Sequence, residues 1–136
     1  MVNRLRPVMF SDENITLLKE ILEKSEEIQV ICGREMSGIW LHDESFEMEL
    51  RLLLLGNVRL IISSVQFIHR RHGTMTKVYQ TLEQFCRDKG VQEMCVQCVL
   101  TKEMANWCLK NGFEVISSTG IEMDGFISGD YIKKLA

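Results

Sequence analysis

Val58-Arg59-Leu60-Ile61-Ile62-Ser63-Ser64-Val65-Gln66-Phe67-Ile68-His69-Arg70-Arg71-His72-Gly73-Thr74-Met75-Thr76 joins a β-branched run to the start of a helical pattern through a short basic loop that contains a glycine. Val58 to Ile68 reads as the longest strand of the chain. From Thr74 to Lys89, Val78, Leu82 and Phe85 share one helical face, and Gly90 closes the segment. A strand that delivers a loop to a helix N-terminus points to phosphate as ligand. The first-turn N–H groups have no intrahelical partners, and the helix dipole adds partial positive charge there. Gly73 lets the backbone approach a pyrophosphate closely. Arg70, Arg71 and, when protonated, His72 supply local positive charge, while Thr74 and Thr76 add hydroxyl donors.

Working outward, the segment before the run reads as an antiparallel meander. Ser11 caps a helix in which Ile15, Leu17, Leu18, Ile21 and Leu22 recur at helical spacing through Lys24, and Leu5 to Phe10 ahead of it reads as a short strand. Residues 27–33 fit either a strand or a helical turn. Ser37 to Leu41 reads as a strand. Phe46 to Leu55 follows, with Phe46, Met48, Leu50, Leu52 and Leu54 on one face and Glu47, Glu49 and Arg51 on the other. Gly56-Asn57 then turns the chain into the long run.

Beyond the first long helix come a buried strand, Glu93 to Leu100, and a second helix, Lys102 to Lys110, stopped by Asn111-Gly112. Phe113 to Ser118 and Ile121 to Ile127 or beyond read as closing strands around Thr119-Gly120. The expected fold class is therefore α/β: a mixed sheet in which an antiparallel N-terminal meander joins a β-α-β-α-β C-terminal half, in one domain over residues 1–136.

Composition supports this reading and narrows function. A chain of 136 residues with 46% hydrophobic content can bury one continuous core. A formal net charge of -3 gives no global positive field for nucleic acid or an anionic membrane. Apolar runs are shorter than the roughly 20 residues a bilayer requires, and the N-terminus lacks a secretory pattern, so a soluble, cytoplasmic protein is expected. The five cysteines read as reduced thiols, mostly within the core. Cys95-x-x-Cys98 lies in a strand, where residues three apart face opposite ways, and no second Cys or His pair stands at zinc spacing, so no metal site is expected. His42 is expected in a loop, His69 at a strand end, and Trp40 and Trp107 in the core or a cleft wall. The exposed edges of a small mixed sheet leave a homodimer open.

Arg70-Arg71-His72-Gly73-Thr74-Met75 resembles the signature Gln/Arg-x-x-Gly-x-Gly/Ala of the GNAT N-acetyltransferase superfamily, with Met75 replacing the last small residue. The strand, loop, helix, strand, helix order through Asn111-Gly112-Phe113 is similar to that family as well. The resemblance implies acetyl-CoA as co-substrate. Its pantetheine arm would pair with the backbone of Val65 and Phe67, where the strand splays from its parallel neighbour. Arg70, Arg71, His72, Gly73, Thr74, Met75 and Thr76 would surround the pyrophosphate. The thioester would point between the strands centred on Val65 and Cys98.

A later family pattern, Asn-x-x-Ala-x-x-Leu-Tyr-x-Lys-x-Gly-Phe, is matched by Lys110, Gly112 and Phe113. Thr101 takes the Asn position and joins the cofactor-binding set, Met104 replaces Ala, and Trp107 replaces Leu. Cys108 stands where the family's tyrosine protonates the departing thiolate, either as a substitute donor or as a packed helix thiol. Glu49 is the candidate base for the amine, with Glu47, Ser63 and Ser64 as alternatives. The implied activity is direct transfer of an acetyl group to a primary amine of a small molecule or peptide. A CoA-binding sensor or interaction module with little turnover is the alternative.

Overall fold

The computed structural model describes residues 7–69 and 73–135. Helix α1, Asp12–Glu26, starts with a reciprocal cap: the Ser11 side chain accepts the Asn14 N–H at 3.1 Å and the Asn14 side chain accepts the Ser11 N–H at 2.9 Å. Four antiparallel strands follow, β1 (Ile31–Glu35), β2 (Gly38–His42), β3 (Glu49–Leu55) and β4 (Arg59–Gln66). Helix α2, Thr74–Lys89, crosses over to β5, Glu93–Val99, which runs parallel to β4. The chain continues through α3 (Lys102–Lys110), β6 (Glu114–Val115), a 3-10 turn at Ser117–Thr119, β7 (Ile121–Met123) and β8 (Phe126–Lys134). The sheet order is β1-β2-β3-β4-β5-β8-β6, with β7 paired to β8. An antiparallel meander thus meets a single parallel crossover, as the pattern of apolar residues predicts.

Alternation along the meander decides which face α1 and α2 cover. Ile39, Leu41, Leu50, Leu52, Leu60 and Ile62 are buried and join one core with Leu18 and Leu22 of α1 and Val78, Leu82 and Phe85 of α2. Burying each such side chain contributes about 1.5–3 kcal/mol, which makes this face the anchor of the fold. The alternate residues Trp40, His42, Glu49 and Arg51 occupy the opposite face, where Trp40 pairs across with Arg51 and His42 with Glu49. Among the described residues no helix is long and apolar enough to cross a membrane.

Several local expectations are corrected. Residues 7–10 form no strand; Phe10 is buried by stacking on Phe85, with ring centroids 4.7 Å apart, and Leu5 and Arg6 lie outside the described residues. Residues 31–35, within and beyond the stretch left open, form β1. β3 begins at Glu49 rather than Phe46, because residues 43–48 form a closed turn. There the Asp43 carboxylate accepts the Met48 N–H at 2.9 Å and the Ser45 hydroxyl at 2.8 Å, and Phe46 has a left-handed φ of 58°. These bonds, the Met48 N–H foremost, hold the Asp43 carboxyl below its ordinary range. Phe46 consequently leaves the core face and stacks on His42 at 4.0 Å. His42 belongs to β2 rather than a loop, and β4 ends at Gln66, short of His69. The closing strands divide at Asp124-Gly125, with Gly125 at φ 83°, into the hairpin β7–β8.

Candidate active-site cleft

β4 and β5 are in parallel register only from Arg59 opposite Glu93 to Ile62 opposite Val96. Past that point both strands are bulged. Against β3, Arg51 faces Ser64 while Leu52 faces Ile62, so Ser63 is the extra residue, and its hydroxyl donates to the Arg51 carbonyl at 3.3 Å. Against β8, Val96 faces Tyr131 while Val99 faces Gly129, leaving Gln97 and Cys98 opposite Asp130. Cys98 adopts φ 53°, and its backbone N–H donates to the Asp130 carboxylate at 2.9 Å. Two bulges at one height spread the strands, and the facing edges beyond them carry no ladder.

The gap is a cleft of about 330 Å³. Ser63, Ser64, Val65 and Gln66 line it from β4, and Gln97, Cys98 and Val99 from β5. Thr101 and Met104 close it at the start of α3, and Glu49 reaches it from β3. Val65 lines the cleft, and Phe67, just beyond, is partly buried against the core. Thr101 caps α3 by accepting the Met104 N–H at 3.2 Å.

Beyond the end of β4, α2 begins. Its N-cap, Gly73, has φ 71°, makes no side-chain capping bond, and would place a Cβ in open space. Among the described residues no side chain accepts from the first-turn amides of α2. Thr74 and Met75 are both buried at the start of the helix. Of the hydroxyl donors expected at Thr74 and Thr76, that of Thr74 is engaged, donating to Glu26 at 3.4 Å, while the Thr76 oxygen accepts the Trp107 indole N–H at 3.2 Å and its own O–H can still donate. Arg70, Arg71 and His72 lie outside the described residues.

Glu49 is held at the cleft by the Trp40 indole N–H, 2.8 Å from Oε2. Trp40 is in turn covered by the Arg51 guanidinium, 5.0 Å from the ring centre, and Arg51 forms a two-pronged pair with Glu35 at 2.7 and 2.8 Å. An aromatic group of Trp40, His42 and Phe46 thus stands one hydrogen bond away from the cleft. Glu47 is exposed and is not among the lining residues.

Cys108, the candidate proton donor, sits apart from the cleft. It is fully buried, burial pushes its thiol up to about 12, and it does not line the cleft. Its surroundings are those of a packed helix thiol. The exposed cysteine is Cys98, in the cleft wall, while its motif partner Cys95 is buried and raised by burial to about 11.

The overall fold is matched by known structures. One is Ard1 from Thermoplasma volcanium, with a TM-score of 0.54 and 11% identity over 95% of this chain and 96% of that one. Another is a GNAT family acetyltransferase from Elizabethkingia anophelis with acetyl-CoA bound, with a TM-score of 0.51 and 11% identity over 73% and 77%. The fold is that of the GNAT N-acetyltransferases. Nourseothricin acetyltransferase shares it with a TM-score of 0.52 and 14% identity over 73% of this chain, which spans 65% of that protein's length. No family model matches the sequence, and no curated protein matches it significantly. At these identities the relationship is one of GNAT architecture.

Proposed function

We propose that the chain is an acetyl-CoA-dependent N-acetyltransferase that moves the acetyl group to a primary amine by direct attack. The observation that carries this reading is the cleft between the bulged β4 and β5, which opens near the uncapped N-terminus of α2. Backbone amides of α2 suit a pyrophosphate, and the unpaired edges of β4 and β5 suit the amides of a pantetheine arm. The open space at Gly73 fits close approach of phosphate oxygens. Val65, Phe67, Gly73, Thr74, Met75, Thr76 and Thr101 are the described members of the proposed binding set, joined by Arg70, Arg71 and His72.

Glu49 is the proposed base. Its carboxylate lines the cleft and is oriented by the Trp40 indole, so it can take the proton released as an amine nitrogen bonds to the thioester carbon and the C–S bond breaks. The aromatic face of Trp40, His42 and Phe46 supplies the acceptor side. With Cys108 buried, the departing thiolate takes its proton from solvent.

That same burial favours a second reading, a CoA-binding module of this fold with little turnover. Titration calorimetry with acetyl-CoA and thiol-release assays with polyamines, amino acids, aminoglycosides and peptides separate the two. Binding with release of CoA supports the enzyme, and binding without release across the panel supports the module. Absence of acetyl-CoA affinity overturns both.

A further inference from the structure

Glu26, the last residue of α1, is 1% exposed. Its position is unfavourable on two counts: burial strips a carboxylate of water, and the C-terminus of its own helix carries partial negative charge. Three donors offset this. Oε2 accepts the backbone N–H of Ile68 at 2.6 Å and of His69 at 2.9 Å, and Oε1 accepts the Thr74 hydroxyl at 3.4 Å. The two amides belong to the chain leaving β4, and the hydroxyl belongs to the first residue of α2. One carboxylate therefore ties the exit of the splayed strand to the start of the helix, from a position more than forty residues earlier in the chain.

The bonding takes the Thr74 hydroxyl from the proposed binding set and leaves its backbone amides untouched. Glu26 takes amides that precede the helix and a side-chain hydroxyl, and the N-terminus of α2 keeps no side-chain cap. The carboxylate can thus orient the site without occupying it.

We propose that Glu26 is a positioning residue for co-substrate binding: it sets residues 68 and 69 against the first turn of α2, so that the strand edge and the helix amides engage one acetyl-CoA molecule together. This rests on the acetyl-CoA reading above. Its effect falls on the phosphate-bearing part of the ligand, because the pantetheine arm lies along β4 before the tie.

The test is titration of Glu26→Ala, Glu26→Gln and Thr74→Val with acetyl-CoA and with acetyl-pantetheine, which lacks the pyrophosphate, followed by amide NMR so that the same spectra report folding. In Glu26→Ala, acetyl-CoA affinity should fall about tenfold or more while acetyl-pantetheine affinity holds, since misplacing a preorganised group by a fraction of an ångström costs at least that much. Glu26→Gln, nearly isosteric and still able to accept both amides, should recover most of the loss. If Glu26→Ala fails to fold, Thr74→Val provides the same contrast, with about a threefold loss confined to acetyl-CoA. Equal losses for both ligands, or none in a folded variant, overturn the positioning role. A wild-type protein that binds neither ligand overturns the acetyl-CoA reading itself, and this inference with it.

Discussion

Cys98 donates its backbone N–H to the carboxylate of Asp130 at 2.9 Å, at the point where β5 turns away from β4. The left-handed φ of Cys98 costs a non-glycine residue about 1 kcal/mol, and the bulge removes the ladder partner its amide would otherwise have. Asp130 compensates for both, so a side chain on β8 maintains an opening between β4 and β5. Asp130→Ala should lower stability by about 1–2 kcal/mol in thermal unfolding and weaken acetyl-CoA binding as well. Asp130→Asn, which retains an acceptor oxygen, should keep most of both. A fully stable Asp130→Ala with unchanged affinity would show that the bulge stands without this bond.

Cysteine chemistry reports directly on the cleft. Cys98 is exposed, whereas Cys86, Cys95 and Cys108 are buried and Cys32 is half-buried with its thiol raised, chiefly by burial. A maleimide at neutral pH should therefore modify Cys98 first, as read by peptide mass mapping. Acetyl-CoA should protect it if the thioester lies beside β5. Labelling at Cys98 that proceeds equally fast with saturating acetyl-CoA would move the ligand elsewhere.

Much of this architecture is legible in the sequence, and what is not has a physical cause. α2 and α3 carry their own punctuation, Gly73 and Gly90 around one and Thr101 and Asn111-Gly112 around the other, so local chemistry alone sets their ends. Phe46 misleads because its two-residue spacing from Met48 and Leu50 imitates strand alternation, while its left-handed backbone turns the ring to the other face. The bulges at Ser63 and Cys98 are properties of pairing. The partner of the Cys98 amide stands 32 residues further on, and nothing near Cys98 announces it. Cys108 and Cys98 look alike as residues; packing of α3 buries one, and the bulge exposes the other. Nothing local to Glu26 in the sequence marks it, and only the return of residues 68, 69 and 74 gives it a role.

Alkaline stability should expose the buried thiols. Burial raises Cys86 and Cys108 to about 12 and Cys95 to about 11, against about 8.5 in an unfolded chain. Below pH 8.5 both states hold these protons and the contribution is intact. Above it the unfolded state releases protons that the folded state keeps, so stability falls as pH rises, until the folded thiols also ionise near 11 to 12. Each thiol contributes a slope of about 1.4 kcal/mol per pH unit within that window. Denaturant unfolding at pH 7, 9 and 10 should show the decline, and Cys108→Ala, though less stable at pH 7, should decline less steeply. An identical slope in that variant would contradict the burial of this thiol.

Gly73→Asp separates helix capping from anion binding. A carboxylate at this N-cap suits the helix dipole and has room, with only the left-handed φ of 71° against it, so the melting temperature should change little. The same charge would oppose a pyrophosphate at the α2 amides, and acetyl-CoA affinity should fall about tenfold or more by calorimetry. Unaltered affinity in a stable variant would count against α2 as the phosphate site.

Glu49 stands to be tested together with the residue that aims it. A base that accepts the amine proton contributes about a hundredfold or more to turnover, and Glu49→Gln removes that capacity while preserving size and an acceptor for the Trp40 N–H. Its kcat should fall by that order, with the KM for acetyl-CoA within about twofold, because the carboxylate acts on the amine rather than on the co-substrate. Trp40→Phe keeps an aromatic ring beside Phe46 but frees the carboxylate from its 2.8 Å tether, so the loss there should be smaller and also fall on kcat. If both variants turn over at the wild-type rate, proton removal belongs to a water or to Ser63 or Ser64 in the same cleft. If only Trp40→Phe loses rate, the aromatic face holds the acceptor and Glu49 is merely its neighbour.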